Sequence, residues 1–203
     1  MIDKIVLASS NKGKLKEFGD IFKTWNVELI SQQLLNVSDA DETGLTFVEN
    51  AILKARHACQ VTGLPALADD SGLEVDALKG APGIYSSRYS GNGDTANNEK
   101  LLAEMQGVPT VQRSARFRCL LVFMRHANDP TPLICQGTLE GSILEAAAGA
   151  GGFGYDPIFQ IDPKLVDGQQ LSSAQLTPEQ KHAISHRGQA VADFVSQIEN
   201  YLS

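Results

Sequence analysis

Two adjacent carboxylates, Asp69 and Asp70, are the residues best suited to metal or acid–base chemistry. They follow the short apolar segment Pro65–Ala68, which has the pattern of a buried strand, and Ser71 comes next. Carboxylate oxygens suit Mg²⁺, which keeps several waters and bridges to substrate phosphates. A turn with one capping aspartate would explain the same motif. The sequence therefore leaves a metal-assisted site and a simple turn open at this point.

Two glutamates lie upstream of this pair and could complete an acidic cluster. Glu42 falls in a polar, acidic loop, and Glu49 falls in the first turn of a helix that we predict to begin at Thr46. Thr46 and Glu49 have the spacing of a capping box. Either glutamate is equally explained as a surface or capping residue.

A lysine-containing loop, Ser9-Ser10-Asn11-Lys12-Gly13-Lys14, lies between a predicted strand and a predicted helix. Backbone N–H groups at a helix start, together with the positive end of the helix dipole, suit a phosphate group. The loop is not a Walker A motif, because that motif requires Ser or Thr after the lysine and Leu15 stands there. A capped helix with two solvated lysines is the alternative interpretation.

The glycine-rich segment Gly149–Gly154 matches the pattern Gly-x-Gly-x-x-Gly. A dinucleotide-binding motif requires a helix to follow, whereas residues 155–159 have the pattern of a loop and a strand. We therefore predict a tight turn that presents Phe153, Tyr155 and Asp156. An exposed aromatic ring beside a carboxylate could bind a nucleobase, and packing of these residues in the core is the alternative.

Hydrogen-bond donors are concentrated just before the C-terminal helix, in Ser185-His186-Arg187-Gly188, with Lys181 one turn upstream. A helix cap and a surface charge would explain a lone His and Arg. Taken together, these residues offer a second set of donors at a helix N-terminus.

The elements that must position these residues alternate between strands and helices, which predicts a mixed-sheet α/β protein. The predicted elements are a strand at 4–9, a helix at 11–25, strands at 28–30 and 65–68 with an extension at 73–75, a helix from 46 to a stop at 63–65, a helix at 95–106, long strands at 115–124 and 133–143, an extended segment at 157–161, and a C-terminal helix with its apolar stripe on Val191, Phe194, Val195, Ile198 and Leu202.

Composition narrows the function classes further. The 203 residues carry 17 basic and 24 acidic side chains, for a net charge of −7, which argues against a non-specific grip on DNA or RNA. No segment has the length of a signal peptide or a membrane span, and the cysteines Cys59, Cys119 and Cys135 lack metal-site spacing. We expect a single domain over residues 1–203, cytoplasmic, with reduced thiols and with neither nucleic acid nor membrane as a partner.

Six motifs in this order resemble the Ham1-type inosine/xanthosine triphosphate pyrophosphatases, a family of enzymes that remove non-canonical purine nucleotides. The motifs are SSNKGK, ETGLTFVENAILKA, ADDSGL, GAPGIYSSRYSG, GGFGYDPIF and SHRGQA. Each motif is weak alone, whereas the ordered set is specific and extends over nearly the whole chain.

The resemblance implies an elongated, two-lobed α/β fold with a long mixed β-sheet flanked by helices, a substrate cleft between the lobes and a homodimer. It implies Mg²⁺-dependent hydrolysis of ITP, dITP, XTP or dXTP to the monophosphate and pyrophosphate, with Asp70 as the catalytic residue and Glu42 and Asp70 at the metal. The substrate-binding residues it implies are Ser9, Ser10, Asn11, Lys12, Gly13, Lys14, Lys54, Ser71, Phe153, Gly154, Tyr155, Asp156, Lys181, His186 and Arg187.

Two other functions stay open at this point. One is a non-catalytic sensor of purine nucleotides, which the acidic residues disfavour because a simple anion binder gains little from carboxylates facing phosphate. The other is a pyrophosphatase for modified pyrimidine or methylated nucleotides, in the manner of the Maf-type proteins.

Overall fold

The computed structural model describes residues 2–9, 18 and 27–202. Within these residues the chain forms a six-stranded sheet in the order β2-β1-β3-β4-β5-β6. The strands are β1 (Lys4–Leu7), β2 (Glu28–Ser31), β3 (Ala66–Val75), β4 (Ser114–Met124), β5 (Leu133–Ile143) and β6 (Phe159–Ile161). Strand β1 is parallel to both β2 and β3, and β6 is antiparallel to β5, so the predicted mixed sheet is confirmed.

The described helices are α1 (Phe47–Thr62), α2 (Asp94–Glu104), α3 (Pro178–Ile184) and α4 (His186–Leu202). The chain divides into two compact units, and β3, β4 and β5 each contribute residues to both. The first unit comprises residues 1–70, 120–135 and 191–203, and the second comprises residues 71–119 and 136–190.

In the first unit, α1 packs small side chains against the sheet. Ala51, Ala55 and Ala58 are fully buried and belong to one apolar cluster with residues of β1, β3 and β4. These alanines recur at helical spacing, so they form one face that lets the helix lie close to the strands. The predicted start of this helix is confirmed, because the Thr46 side chain accepts a hydrogen bond from Glu49 N.

In the second unit, the core lies between the strands, α2 and the segment that follows the glycine-rich turn. Its fully buried members include Leu73, Leu101, Ile158 and Phe159. Phe117 packs on this cluster with its ring centroid 4.6 Å from that of Phe159. This core sets the position of the turn that carries Phe153.

Three sequence-based expectations are resolved by these elements. The two aspartates do not end a strand, because β3 continues through Asp69 and Asp70 to Val75. The Gly-x-Gly-x-x-Gly segment is followed by a 3₁₀ turn and β6, so the rejection of a dinucleotide-binding motif is confirmed. All three cysteines are buried and reduced, as expected.

Among the described residues, no helix has the length and apolar character needed to cross a lipid bilayer.

Candidate active site

A lysine bridges the two carboxylates that are predicted to hold the metal, both in the first unit. Lys54 Nζ donates to Asp70 Oδ1 at 2.7 Å and to Glu42 Oε1 at 3.1 Å. The exposed fractions of the three side chains are 15% for Lys54, 12% for Asp70 and 28% for Glu42, so the cluster is mostly buried but still in contact with solvent. The structure thus brings together residues that lie 12 and 16 positions apart in the sequence.

Burial and charge act against each other in this cluster. Burial raises the pKa of Asp70, Lys54 lowers it, Glu42 and Asp69 raise it again, and the result lies above the ordinary value. Burial alone would lower the pKa of Lys54, but attraction by Asp70, with Asp69 and Glu42, raises it overall. At neutral pH Lys54 is therefore a cation held among carboxylates, and Asp70 is a stronger base than an exposed aspartate.

The donor set of this cluster fits a hard divalent cation. Asp70 Oδ2 is buried and accepts no hydrogen bond from any described residue. Glu42 and Asp70 already have oxygens directed to one positive group, Lys54 Nζ. No group of three or more His, Cys, Asp or Glu side chains surrounds a possible metal position in the described part of the chain. Two carboxylates are enough for Mg²⁺, which takes its remaining ligands from water and phosphate.

The start of α1 positions Glu42 through a buried asparagine. Asn50 is fully buried and its Oδ1 accepts from Gly44 N at 2.9 Å, which holds the loop that contains Glu42. A side chain at position 44 would overlap Asn50 and Glu49. The Glu49 carboxylate accepts from Leu45 N and from the Thr46 hydroxyl, so it caps the helix instead of joining the acidic cluster.

The second unit contains the predicted base-binding residues. Phe153 is 65% exposed at the tip of the glycine-rich turn. Lys181 Nζ lies 4.6 Å from the centroid of its ring. Tyr155 behaves differently: its ring is buried in the core and its hydroxyl donates to Ser86 O at 2.8 Å. The prediction that the turn presents Tyr155 is therefore wrong for its side chain, because packing of the apolar ring outweighs exposure.

The prediction that the turn presents Asp156 is also wrong, because its carboxylate is buried and accepts hydrogen bonds from within the turn and from its neighbours. Its Oδ2 accepts from Phe153 N at 2.8 Å and from Lys181 Nζ, and its Oδ1 accepts from the Ser173 hydroxyl at 2.8 Å. Gly152 has φ +75°, and a side chain there would overlap the Asp156 carboxylate. Ser173 is a functional residue that was not predicted from the sequence. Its only local signal is the Ser172-x-x-Gln175 capping box, which fixes a turn without indicating what Ser173 contacts.

His186 and Arg187, the predicted donors at the start of α4, both contact residues of the second unit. Arg187 donates from a terminal guanidinium nitrogen to Ser71 Oγ at 3.3 Å, which places it at the residue that follows Asp70 in the chain. The His186 ring stacks on Phe117 with centroids 5.0 Å apart. Both residues lie inside the first turn of the helix, whereas the sequence predicted them just before it.

The predicted phosphate loop is described only at its first residue. Ser9 is half-buried and is the second residue after the end of β1. Ser10, Asn11, Lys12, Gly13 and Lys14 lie outside the described residues, as does the predicted helix over 11–25 apart from the buried Phe18.

The fold and these clusters define an α/β protein with a carboxylate–lysine site, and known proteins match it over nearly its full length. A model of the Ham1 family matches residues 5–197. The dITP/XTP pyrophosphatase of Vibrio parahaemolyticus is 56% identical over 197 residues, covering 96% of each chain. That of Escherichia coli O157:H7 is 53% identical over 201 residues, covering 98% of this chain and all of the relative.

Solved structures agree with the sequence matches. A HAM1 protein from Coxiella burnetii has a TM-score of 0.91 and 46% identity, covering 98% of this chain and 100% of its own. The Ham1 protein of Staphylococcus aureus has a TM-score of 0.87 and 42% identity, covering 98% of this chain and 99% of its own. The chain belongs to the Ham1 family, as its six motifs indicated.

Proposed function

We propose that this protein hydrolyses non-canonical purine nucleoside triphosphates, namely ITP, dITP, XTP and dXTP, to the monophosphate and pyrophosphate. The observation that carries the proposal is the Glu42–Lys54–Asp70 cluster. It is present in a chain that is 53–57% identical to proteins named dITP/XTP pyrophosphatase. The activity removes these nucleotides from the precursor pool.

The triphosphate end of the substrate is assigned to this cluster. Water attacks the α phosphorus, the new P–O bond forms, and the bond from that phosphorus to the bridging oxygen breaks with its electron pair on pyrophosphate. Asp70 Oδ2, which accepts no hydrogen bond from the described residues, takes the proton from the attacking water. Lys54 neutralises charge on the phosphate oxygens, with Lys14 as a second cation.

Magnesium is the proposed cofactor, with Glu42 and Asp70 as its protein ligands. When bound, the ion supplies charge neutralisation at the phosphates and a Lewis acid for the reacting oxygens. Lys54 donates to oxygens of both carboxylates, so its ammonium would share these oxygens with a metal held there. Asp70 is proposed both as the base and as a metal ligand, and these two roles compete for the same carboxylate.

The base end of the substrate is assigned to Phe153 and the donors near it. The exposed ring of Phe153 offers a stacking surface, and Lys181 beside it is a cationic donor. Hypoxanthine and xanthine have an oxygen acceptor at position 6, whereas adenine has an amino donor there. A site lined by hydrogen-bond donors therefore pairs with the 6-oxygen of hypoxanthine and xanthine. The 6-amino group of adenine would instead face a second donor.

The remaining assignments rest on the proposed activity and on the family to which the chain belongs. Nucleotide precursors are cytoplasmic metabolites, so we place the enzyme in the cytoplasm, acting as a single domain and as a homodimer. Ser9 to Lys14, Ser71, Gly154, Tyr155, Asp156, His186 and Arg187 complete the proposed nucleotide contacts, with Tyr155 acting through its backbone and Asp156 through its hold on Phe153 N and Lys181 Nζ.

The test is product identity with ITP and Mg²⁺ in ¹⁸O-labelled water. The proposal requires IMP and pyrophosphate in equal amounts, with the label in IMP because attack is at the α phosphorus. Stoichiometric ITP binding without turnover would instead support the nucleotide sensor. Turnover of modified pyrimidine or methylated nucleotides in preference to ITP would support the Maf-type alternative.

A further inference from the structure

The backbone beside Phe153 is held by helix α2. Gly154 N donates to Asp94 Oδ2 at 2.7 Å, and Gly154 O accepts from Asn98 Nδ2 at 3.0 Å. Asp94 and Asn98 are four positions apart, so they lie on one face of the helix. Both polar backbone groups of the residue next to the exposed ring are thus fixed by one element.

Asn98 makes this contact under a constraint. Its Oδ1 is buried and has no hydrogen-bond partner among the described residues, which is unfavourable for a polar atom. Rotating the amide would place that oxygen against the Gly154 carbonyl oxygen, so the donor must face Gly154. The polar side chain is explained by what it does to Gly154.

The helix that makes these contacts is itself fixed. Asn97 is buried, its Oδ1 accepts from Ser90 N at 2.7 Å, and its Nδ2 donates to Ser86 O at 3.3 Å. The Tyr155 hydroxyl donates to the same Ser86 oxygen. Helix α2 and the residue after Gly154 are therefore tied to one segment, which gives Gly154 a rigid frame.

We propose that Asp94 and Asn98 are positioning residues for base recognition: by holding the Gly154 peptide groups, they set the direction in which Phe153 presents its ring. The inference rests on the proposed function, because it assigns Phe153 to the base. Substitution of these residues should therefore affect the two ends of the substrate differently. Loss of either contact weakens binding of the base end and leaves the phosphate end unchanged.

The first variant is Asn98→Leu, which keeps the branched shape of the side chain and removes the donor. A single hydrogen bond of this kind corresponds to a change of about tenfold. We expect KM for ITP to rise by about that factor, with kcat within about twofold of wild type. Inorganic tripolyphosphate, tested as a competitor that has phosphates and no base, should inhibit the variant and the wild type with the same inhibition constant. Glu99→Gln, at an exposed neighbouring position of the same helix, is the matched control and should match wild type.

A second pair keeps the test decisive if Asn98→Leu folds poorly. Asp94 is exposed, so its substitution does not disturb a core. Asp94→Ala removes the acceptor for Gly154 N and should raise KM for ITP, whereas Asp94→Asn keeps an acceptor oxygen and should restore most of the affinity.

Two results would overturn the inference. One is an unchanged KM for ITP in both Asn98→Leu and Asp94→Ala. The other is a parallel loss of ITP and tripolyphosphate binding, which would mean that the contacts only stabilise the fold. Failure of the proposed function is distinct, because it is seen in the wild-type enzyme as absence of ITP turnover before any variant is compared.

Discussion

At the scale of single residues, Asp70 combines three properties that exposed aspartates lack. One oxygen accepts from Lys54, the other is buried without a hydrogen bond from the described residues, and burial raises the pKa of the carboxyl. A general base works best when its pKa approaches the working pH. The environment of Asp70 therefore prepares one oxygen to accept a proton while Lys54 orients the other.

Replacing Asp70 by Asn tests this arrangement. The amide keeps the shape but neither accepts the proton nor holds a metal well, so kcat for ITP should fall by about 10²–10⁴-fold. The midpoint of thermal unfolding should change little. Asp76→Asn is the matched control, because Asp76 follows the last residue of β3 and its carboxylate pairs with Arg116. This variant should keep wild-type turnover. Near-normal turnover in Asp70→Asn would remove Asp70 from both proposed roles.

Glu42 contributes a different property, because its carboxylate is more exposed than that of Asp70 and shares Lys54 with it. We expect Glu42→Gln to raise the Mg²⁺ concentration needed for half-maximal activity by about tenfold, with a smaller effect at saturating Mg²⁺. The control variant is Asp41→Asn, because Asp41 is an exposed carboxylate next to Glu42 in the chain. An identical Mg²⁺ dependence in the two variants would make Glu42 an ordinary loop residue.

At the scale of secondary structure, the start of α4 depends on a glycine in β5. A side chain at Gly137 would overlap His186 O and approach Ala190 N, so the absence of a Cβ lets the helix lie against the strand. The contact determines where His186 and Arg187 lie, because both belong to the first turn of that helix.

Gly137→Ala should therefore affect stability and activity together. Overpacking of this kind costs about 1–3 kcal/mol, measured as the loss of unfolding free energy in urea. We also expect a higher KM for ITP, because displacement of the helix moves Arg187. Gln136→Ala, at an exposed position of the same strand, should stay within about 0.5 kcal/mol of wild type. Equal stability of both variants would show that the helix and strand separate easily.

The elements themselves could largely be predicted from the sequence, because their signals are local. Thr46, the spacing of Ala51 and Ala55, and Gly63 define both ends and the buried face of α1, and the structure agrees. The contact of Ser173 with Asp156 has no local signal, since it joins residues 17 positions apart. The extent of β3 was underestimated because two consecutive aspartates are unusual within a buried strand.

At the scale of the molecule, a buried carboxylate ties the C-terminal helix to the β4–β5 connection. Asp129 accepts from the Arg125 guanidinium, from Thr131 N and from the Tyr201 hydroxyl. These hydrogen bonds, that from Arg125 above all, hold the pKa of Asp129 well below its ordinary value. Because the unfolded chain binds the proton more readily, the contribution is present above about pH 4 and is lost as the pH falls toward the folded pKa.

We expect Asp129→Asn to lower the free energy of unfolding by about 2 kcal/mol at pH 7. Urea unfolding of wild type and variant at pH 7, 4 and 3 checks the pH dependence. The difference should shrink with acid, because all other titrating groups are shared and only wild type loses the contribution of Asp129. A difference independent of pH would show that packing, and not the charge, accounts for the effect.

The proposed activity is tested most directly by kcat/KM for ITP and XTP measured beside ATP and GTP, in one enzyme preparation with Mg²⁺ and with pyrophosphate as the measured product. The values for ITP and XTP should lie at least about 100-fold above those for ATP and GTP, because adenine sets its 6-amino donor against the donors of the site and guanine, which shares the 6-oxygen, has to be refused at its 2-amino group. Equal values for ITP and ATP, or hydrolysis of all four confined to phosphate release, would contradict it.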